Sequence, residues 1–213
     1  MDVDTQFAIK VFAALFAIMN PIANIPIFLS LTEGRTDQER RSVAVVAIIG
    51  VAIGCVVSAV AGGAVLSVFG LTIDDFRLAG GLMVLLIALS MLNGQSSTQH
   101  HPSGHESGQD ADAAGIAIYP LTIPLLVGPG TIASLIVFGH TAATDGKEME
   151  LMLGLGAFLA VLAVALLAAP LLGHYLSARA TAVTKRLMGM FLAAIAVEMM
   201  TTSLKAIFGS AAG

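Results

Sequence analysis

Apolar positions in this chain come in long blocks rather than in alternation. From Val43 to Phe69 no residue carries a charge, and about 20 apolar residues suffice to cross a bilayer as a helix. Blocks of this kind predict six spans, at 7–31, 42–69, 76–92, 116–139, 149–175 and 187–208. The second and fifth are long enough to tilt. The third is short, with Arg77 and Asn93 placed to reach water at its two ends. Residues 94–115, rich in Ser, Gly, Gln, His and Asp, have little to bury and read as a flexible polar linker. The chain thus divides into 1–93 and 116–213, two three-helix halves of one membrane domain.

The halves share a faint repeat. Arg77-Leu78-x-Gly80 recurs as Arg186-Leu187-x-Gly189, each at the start of the third helix of its half, and Asn20-Pro21 falls opposite Gly128-Pro129 at nearly the same offset. Three spans per half is an odd number, so the second half must cross in the opposite sense. The expected fold is an all-α membrane protein of six transmembrane helices in two inverted-topology repeats, an arrangement common in secondary transporters.

Composition agrees with the blocks. The chain is 57% hydrophobic and 11% charged, against roughly 25% charged in soluble domains. Ten Lys and Arg spread thinly leave no footprint for nucleic acid, and a single cysteine, Cys55, rules out an internal disulfide. The N-terminus carries Asp2 and Asp4 instead of a basic leader, so the first span is expected to stay. Loop charge sets the orientation. With both termini outside, Arg35, Arg40, Arg41, Arg179, Lys185 and Arg186 lie on the cytoplasmic side, and Lys10, Arg77, Lys147 and Lys205 on the outer side.

The first and fourth spans are interrupted. In the first, Pro21 and Pro26 remove two backbone donors, and each ring clashes with the carbonyl four residues back. Asn24 is the expected cap of a new helix, with Pro26 in its first turn. In the fourth, Pro120, Pro124 and Gly128-Pro129-Gly130 precede Thr131. A simple proline kink is the plainer reading of either break alone, but breaks at corresponding positions of inverted halves point to a binding site near the bilayer midplane. New half-helices beginning near 24–27 and 130–133 would present amide donors to a carboxylate, while the preceding half-helices offer carbonyls to an ammonium. The candidate substrate-binding residues are Asn20, Pro21, Ala23, Asn24, Pro26, Pro124, Gly128, Pro129, Gly130 and Thr131. Ala23, Gly128 and Gly130 would keep the pocket small.

Glu198 lies within the sixth span, where an ionisable group is costly and functional by default. Thr201, Thr202 and Lys205 share its face, and no basic residue is expected at its depth. It is the proton-coupling candidate, set against a neutral acid bonded to a neighbouring helix. Gly50, Gly54, Ser58 and Gly62 form a small-residue face for close helix packing, within the fold or in a homo-oligomer. His100, His101, His105 and Glu106 in the linker are read as solvated rather than metal-bound; no metal and no cofactor is expected.

Asn20-Pro21-x-x-Asn24-x-Pro26, Phe76-Arg77-Leu78-Ala79-Gly80-Gly81, Pro120 to Ile132 with its Pro124 and Gly128-Pro129-Gly130-Thr131, and Arg186-Leu187-Met188-Gly189 are spread over the whole chain. In these blocks the sequence resembles the MarC family of bacterial inner-membrane proteins, also described as a neutral amino acid transporter family. The resemblance implies six spans and proton-driven transport of small neutral amino acids such as glycine and alanine. Two departures stand out: Asn20 where such proteins often have Asp, and Glu198 where they tend to have Gln. The expectation is therefore a multi-pass secondary transporter of the inner membrane, not an enzyme. The alternatives are a membrane-embedded enzyme, disfavoured by the lack of a zinc pair or nucleophile–base pair in the spans, and a non-catalytic membrane partner.

Overall fold

The computed structural model describes residues 5–93, 113–172 and 178–210. Their regular structure is all helical: α1 Thr5–Met19, α2 Pro21–Leu31, α3 Asp37–Val68, α4 Ile73–Leu92, α5 Ala113–Ile116, a widely wound segment Ala117–Leu126, α6 Pro129–Asp145, α7 Glu148–Leu167, α8 Ala169–Leu172 and α9 Ala178–Ser210. Five helical stretches are long and apolar enough to cross a membrane, with α1 and α2 counting as one. The expected fourth span is a pair, Ala114–Leu126 and Pro129–Asp145, bent by 67°. Most of the linker, with His100, His101, His105 and Glu106, lies outside the described residues.

Helix ends differ from the hydropathy pattern where polar chemistry sets them. α3 starts at Asp37, ahead of the apolar block, because Thr36 and Glu39 form a reciprocal capping box. Thr72 and Asp75 do the same for α4. α6 outruns its apolar stretch to Asp145, where Gly146 takes the left-handed conformation (φ 68°) and its amide closes on the Ala142 carbonyl. The expected fifth span stops at Leu167, since Pro170 has no amide to continue the ladder.

Contacts between helices are made by small residues, as expected where lipid offers no hydrophobic drive for association and close packing must supply it. A Cβ on Gly139 would fall 2.0 Å from the Ala59 carbonyl oxygen, and one on Gly154 2.6 Å from that of Ala8. Gly80 of the repeated motif packs on Ala133, and Gly189 on Ala88 and Met91. Three residues of the four-spaced face are used inside the chain: Gly50 meets Thr122, Gly54 meets Val127 and Gly62 meets Ile136. Ser58 donates to the Gly54 carbonyl of its own helix at 2.7 Å.

The pairing of spans follows from these contacts. α4 lies antiparallel along α9, with Gly81 against Ala196 and Gly189 against Ala88. α3 packs on α6 and its preceding segment, and α1 packs on α7. α1 and α6 run antiparallel, with Phe7 edge-on to Phe138 at one end and Ile18 beside Gly130 at the other. The outward faces of α3 and α7, with Ile49, Ile53, Val60, Met152 and Val164, stay exposed and apolar, as a lipid-facing surface requires.

Candidate functional site

The first break is a single residue. Asn20 sits in the left-handed region (φ 38°, ψ 72°), a conformation asparagine tolerates better than most side chains. Its Oδ1 accepts from the Ala23 amide at 3.2 Å, and Pro21 takes the first helical position, where no donor is needed. The new helix therefore starts at Pro21 and not near 24–27. This corrects the assignment of Asn24 as the cap. Asn24 instead donates from Nδ2 to the Met19 carbonyl, an orphan at the end of α1. One asparagine thus closes each side of the break. Pro26 lies inside α2 with its ring exposed, away from the buried side of the break.

The second break is long. Tyr119 and Ile123 adopt extended backbone before Pro120 and Pro124, both in cis peptide bonds. Thr122 Oγ1 donates to the Ala117 carbonyl at 2.7 Å, and the Val127 amide donates to the Thr122 carbonyl at 2.7 Å. Gly128 is extended and begins α6, with Pro129 at its first position. A Cβ on Gly128 would lie 2.8 Å from the Pro124 carbonyl oxygen, so glycine is needed for this close approach. Thr131 is buried and donates to the Leu126 carbonyl at 3.0 Å. No side chain caps the amides that open α6.

The start of α6 and the end of α1 meet. A Cβ on Gly130 would lie 3.9 Å from Ile18 Cγ2 and 2.8 Å from Ile87 Cδ1. Ile87, Val84 and Ile18 therefore take the space that a small pocket at Gly130 was expected to leave. Asn20, Pro21, Ala23, Asn24, Gly128, Gly130 and Thr131 are buried, Pro124 is half-buried, and Pro26 and Pro129 are exposed. Two buried polar atoms have no partner in this region: Asn20 Nδ2, and Ser134 Oγ one turn into α6. Desolvating a polar group unpaired costs about 1–3 kcal/mol, which marks both as places for a ligand or water. Ser134 was not singled out by sequence reasoning. Its signal was its position one turn beyond Gly130 on the face of Gly130 and Ala133.

Glu198 sits elsewhere. Its Oε1 accepts from Lys10 Nζ at 2.6 Å, joining α9 to α1. This corrects the expectation that no basic residue shares its depth. A long side chain from another span reaches it, and linear order gave no sign of that pairing. The side chains are 45% and 56% exposed, so the pair lies on the outside of this single chain. Lys10 precedes Asn20 by ten residues, about 15 Å along a helix, which separates the pair from the breaks.

Comparison with known proteins agrees with this architecture. The family model described as MarC family integral membrane protein matches residues 5–208. The UPF0056 membrane protein YvbG of Bacillus subtilis is 36% identical over 206 residues, covering 95% of this chain and 96% of that protein. YhcE of Escherichia coli, a membrane protein of the same designation, is 34% identical over 203 residues, covering 93% and 92%. A further such protein, from Methanocaldococcus jannaschii, is 33% identical over 202 residues, covering 95% and 98%. No solved structure matches. With a match over nearly its whole length, and with several helices long and apolar enough to cross a membrane, this chain belongs to the MarC family of integral membrane proteins.

Proposed function

We propose that this protein is a secondary transporter of small neutral amino acids, glycine and alanine among them, in the cytoplasmic membrane, with both termini outside. The observation that carries the reading is the meeting of the two interrupted spans at Ile18 and Gly130, with one buried polar atom lacking a partner on each span. A broken helix in lipid frees backbone groups that only protein, water or a ligand can satisfy. Here asparagine side chains satisfy most of the first break, whereas the amides opening α6 keep no side-chain cap. Those amides, at the positive end of the α6 dipole, suit a carboxylate. Asn20 Oδ1 is engaged with Ala23, so its free Nδ2 adds a donor, and Ser134 Oγ can donate or accept. This donor chemistry suits a small zwitterion better than a hydrolytic reaction, because no nucleophile–base pair lies beside these groups among the described residues.

The packing supports an inverted repeat. Exchanging the halves turns the α3–α6 contact into the α7–α2 contact, and returns α4–α9 to itself. The two interrupted spans run antiparallel, as inverted halves require. In this reading, rocking of one half against the other exposes the breaks alternately to each side. Proton coupling is assigned to Glu198 through its exchange with Lys10. The test is uptake of labelled glycine and alanine into proteoliposomes under an imposed pH gradient. Accumulation that collapses with the gradient is the expected result. Absence of uptake under both proton and sodium gradients, with the protein folded and correctly inserted, overturns the reading.

A further inference from the structure

A second polar cluster lies at the opposite end of α2 from the break, where α2 ends, α3 begins and α7 passes into α8. A cavity of about 240 Å³ opens there, and Asp37, Arg40 and Arg41 stand around it. Arg40 is held by its backbone neighbour: Nε donates to the Thr32 carbonyl at 3.2 Å, which also closes the C-terminal end of α2. Its two terminal amino groups make no bond within the described residues. The side chains of Arg41 and Asp37 make no hydrogen bond or ion pair within the described residues either. Two guanidinium groups and a carboxylate therefore surround one space without pairing to each other. The floor is apolar, from buried Phe28 and Leu166. Leu167 and Leu171, 41% and 72% exposed, carry the apolar wall out onto the surface of the bundle.

We propose that this cavity binds a phospholipid with a glycerol head group. The polar lining has one surplus positive charge, which a single phosphodiester neutralises. Arginine is suited to that group because its planar fork bonds two phosphate oxygens at once. The head-group hydroxyls give Asp37 a donor to accept from, and an acyl chain lies along Leu167 and Leu171. The place is right for such a ligand: the charged groups precede Val43, where the uncharged stretch of α3 begins, so they stand at the edge of the apolar belt. Basic pockets between helices at this level hold lipid head groups in membrane proteins generally. A zwitterionic head group would leave the surplus charge unmatched, and a free phosphate ester would make no use of the leucine wall. The bound lipid would splint α2 and α3 to α7 and α8, next to one of the two interrupted spans.

The test is native mass spectrometry of the full-length protein released from nanodiscs of phosphatidylcholine doped equally with phosphatidylglycerol and phosphatidylethanolamine. One phosphatidylglycerol should be retained per chain in preference to phosphatidylethanolamine. Arg41→Gln, which leaves the Arg40–Thr32 bond in place, should lower that retention about tenfold, the scale of one lost charge-assisted contact. Arg40→Gln together with Arg41→Gln should abolish it. Thermal unfolding of Arg41→Gln in a lipid-free detergent, expected to equal that of the parent, separates lost binding from lost folding. Equal retention of the two lipids, or retention unchanged in the double variant, overturns the proposal. Displacement by glycerol 1-phosphate as effective as by phosphatidylglycerol also overturns it, and would mark a site for a soluble phosphate ester.

Discussion

The two interrupted spans solve the same problem by different means. Between α1 and α2 the interruption is one residue, and side chains repair it: Asn20 caps the new helix while Asn24 covers the last carbonyl of the old one. Between Ala117 and Pro129 the chain unwinds over two turns and bends by 67°, with backbone, threonine hydroxyls and glycines in place of caps. A capped break is a structural joint. An uncapped one leaves amide donors open, and in the transport reading proposed above these, with Asn20 Nδ2 from the first break, are the groups offered to a ligand.

That contrast can be broken at several points, from the greatest effect to the least. Gly130→Leu should abolish glycine uptake and lower the unfolding temperature, because even a Cβ there lies 2.8 Å from Ile87 and overpacking costs about 1–3 kcal/mol; a melting curve beside the uptake assay reads both. Asn24→Ala should destabilise the protein by about 1–3 kcal/mol by orphaning the buried Met19 carbonyl. Denaturant unfolding would show that loss, and stability equal to the parent would deny Asn24 its part in the joint. Ser134→Ala sharpens the contrast from the other side. Its hydroxyl has no partner to lose, so stability should hold or rise slightly while the KM for glycine increases several-fold. Glu198→Gln should leave folding intact, because the Lys10 pair is exposed and such pairs contribute little, yet flatten the pH dependence of uptake. Pro26→Ala should change uptake least, since the ring faces outward.

The lipid cavity and the breaks also differ in how visible they were. Arg40 and Arg41 were read only as orientation signals, because nothing in their local sequence tells that α7 and α8 bring leucines beside them. The breaks were legible because proline and glycine act on the backbone of their own segment. Even so, which asparagine caps was misread: Asn24 precedes Pro26 with good cap spacing, but the left-handed turn at Asn20 lets Pro21 open the helix instead. The wide winding of Ala117–Leu126 rests on tertiary support. Thr122 Oγ1, which donates to the Ala117 carbonyl at 2.7 Å, also reaches the Ala47 carbonyl of α3 at 3.4 Å, where Gly50 leaves room for its side chain.

By itself, the sequence determined a membrane protein of helical spans, the two interrupted segments, and the small-residue faces that let helices touch. Each of these follows from properties carried within one segment: apolar length against bilayer thickness, missing donors at proline, missing side chains at glycine. Only the tertiary structure decided that Lys10 meets Glu198, that Gly50, Gly54 and Gly62 of α3 are covered by the chain's own α6 and the segment before it, and that Ile87 fills the space beside Gly130. Those outcomes depend on which face of one helix turns to which face of another. In lipid that choice is made by close packing and buried polar partners rather than by hydrophobicity, and so it is not written in the hydropathy of any single span.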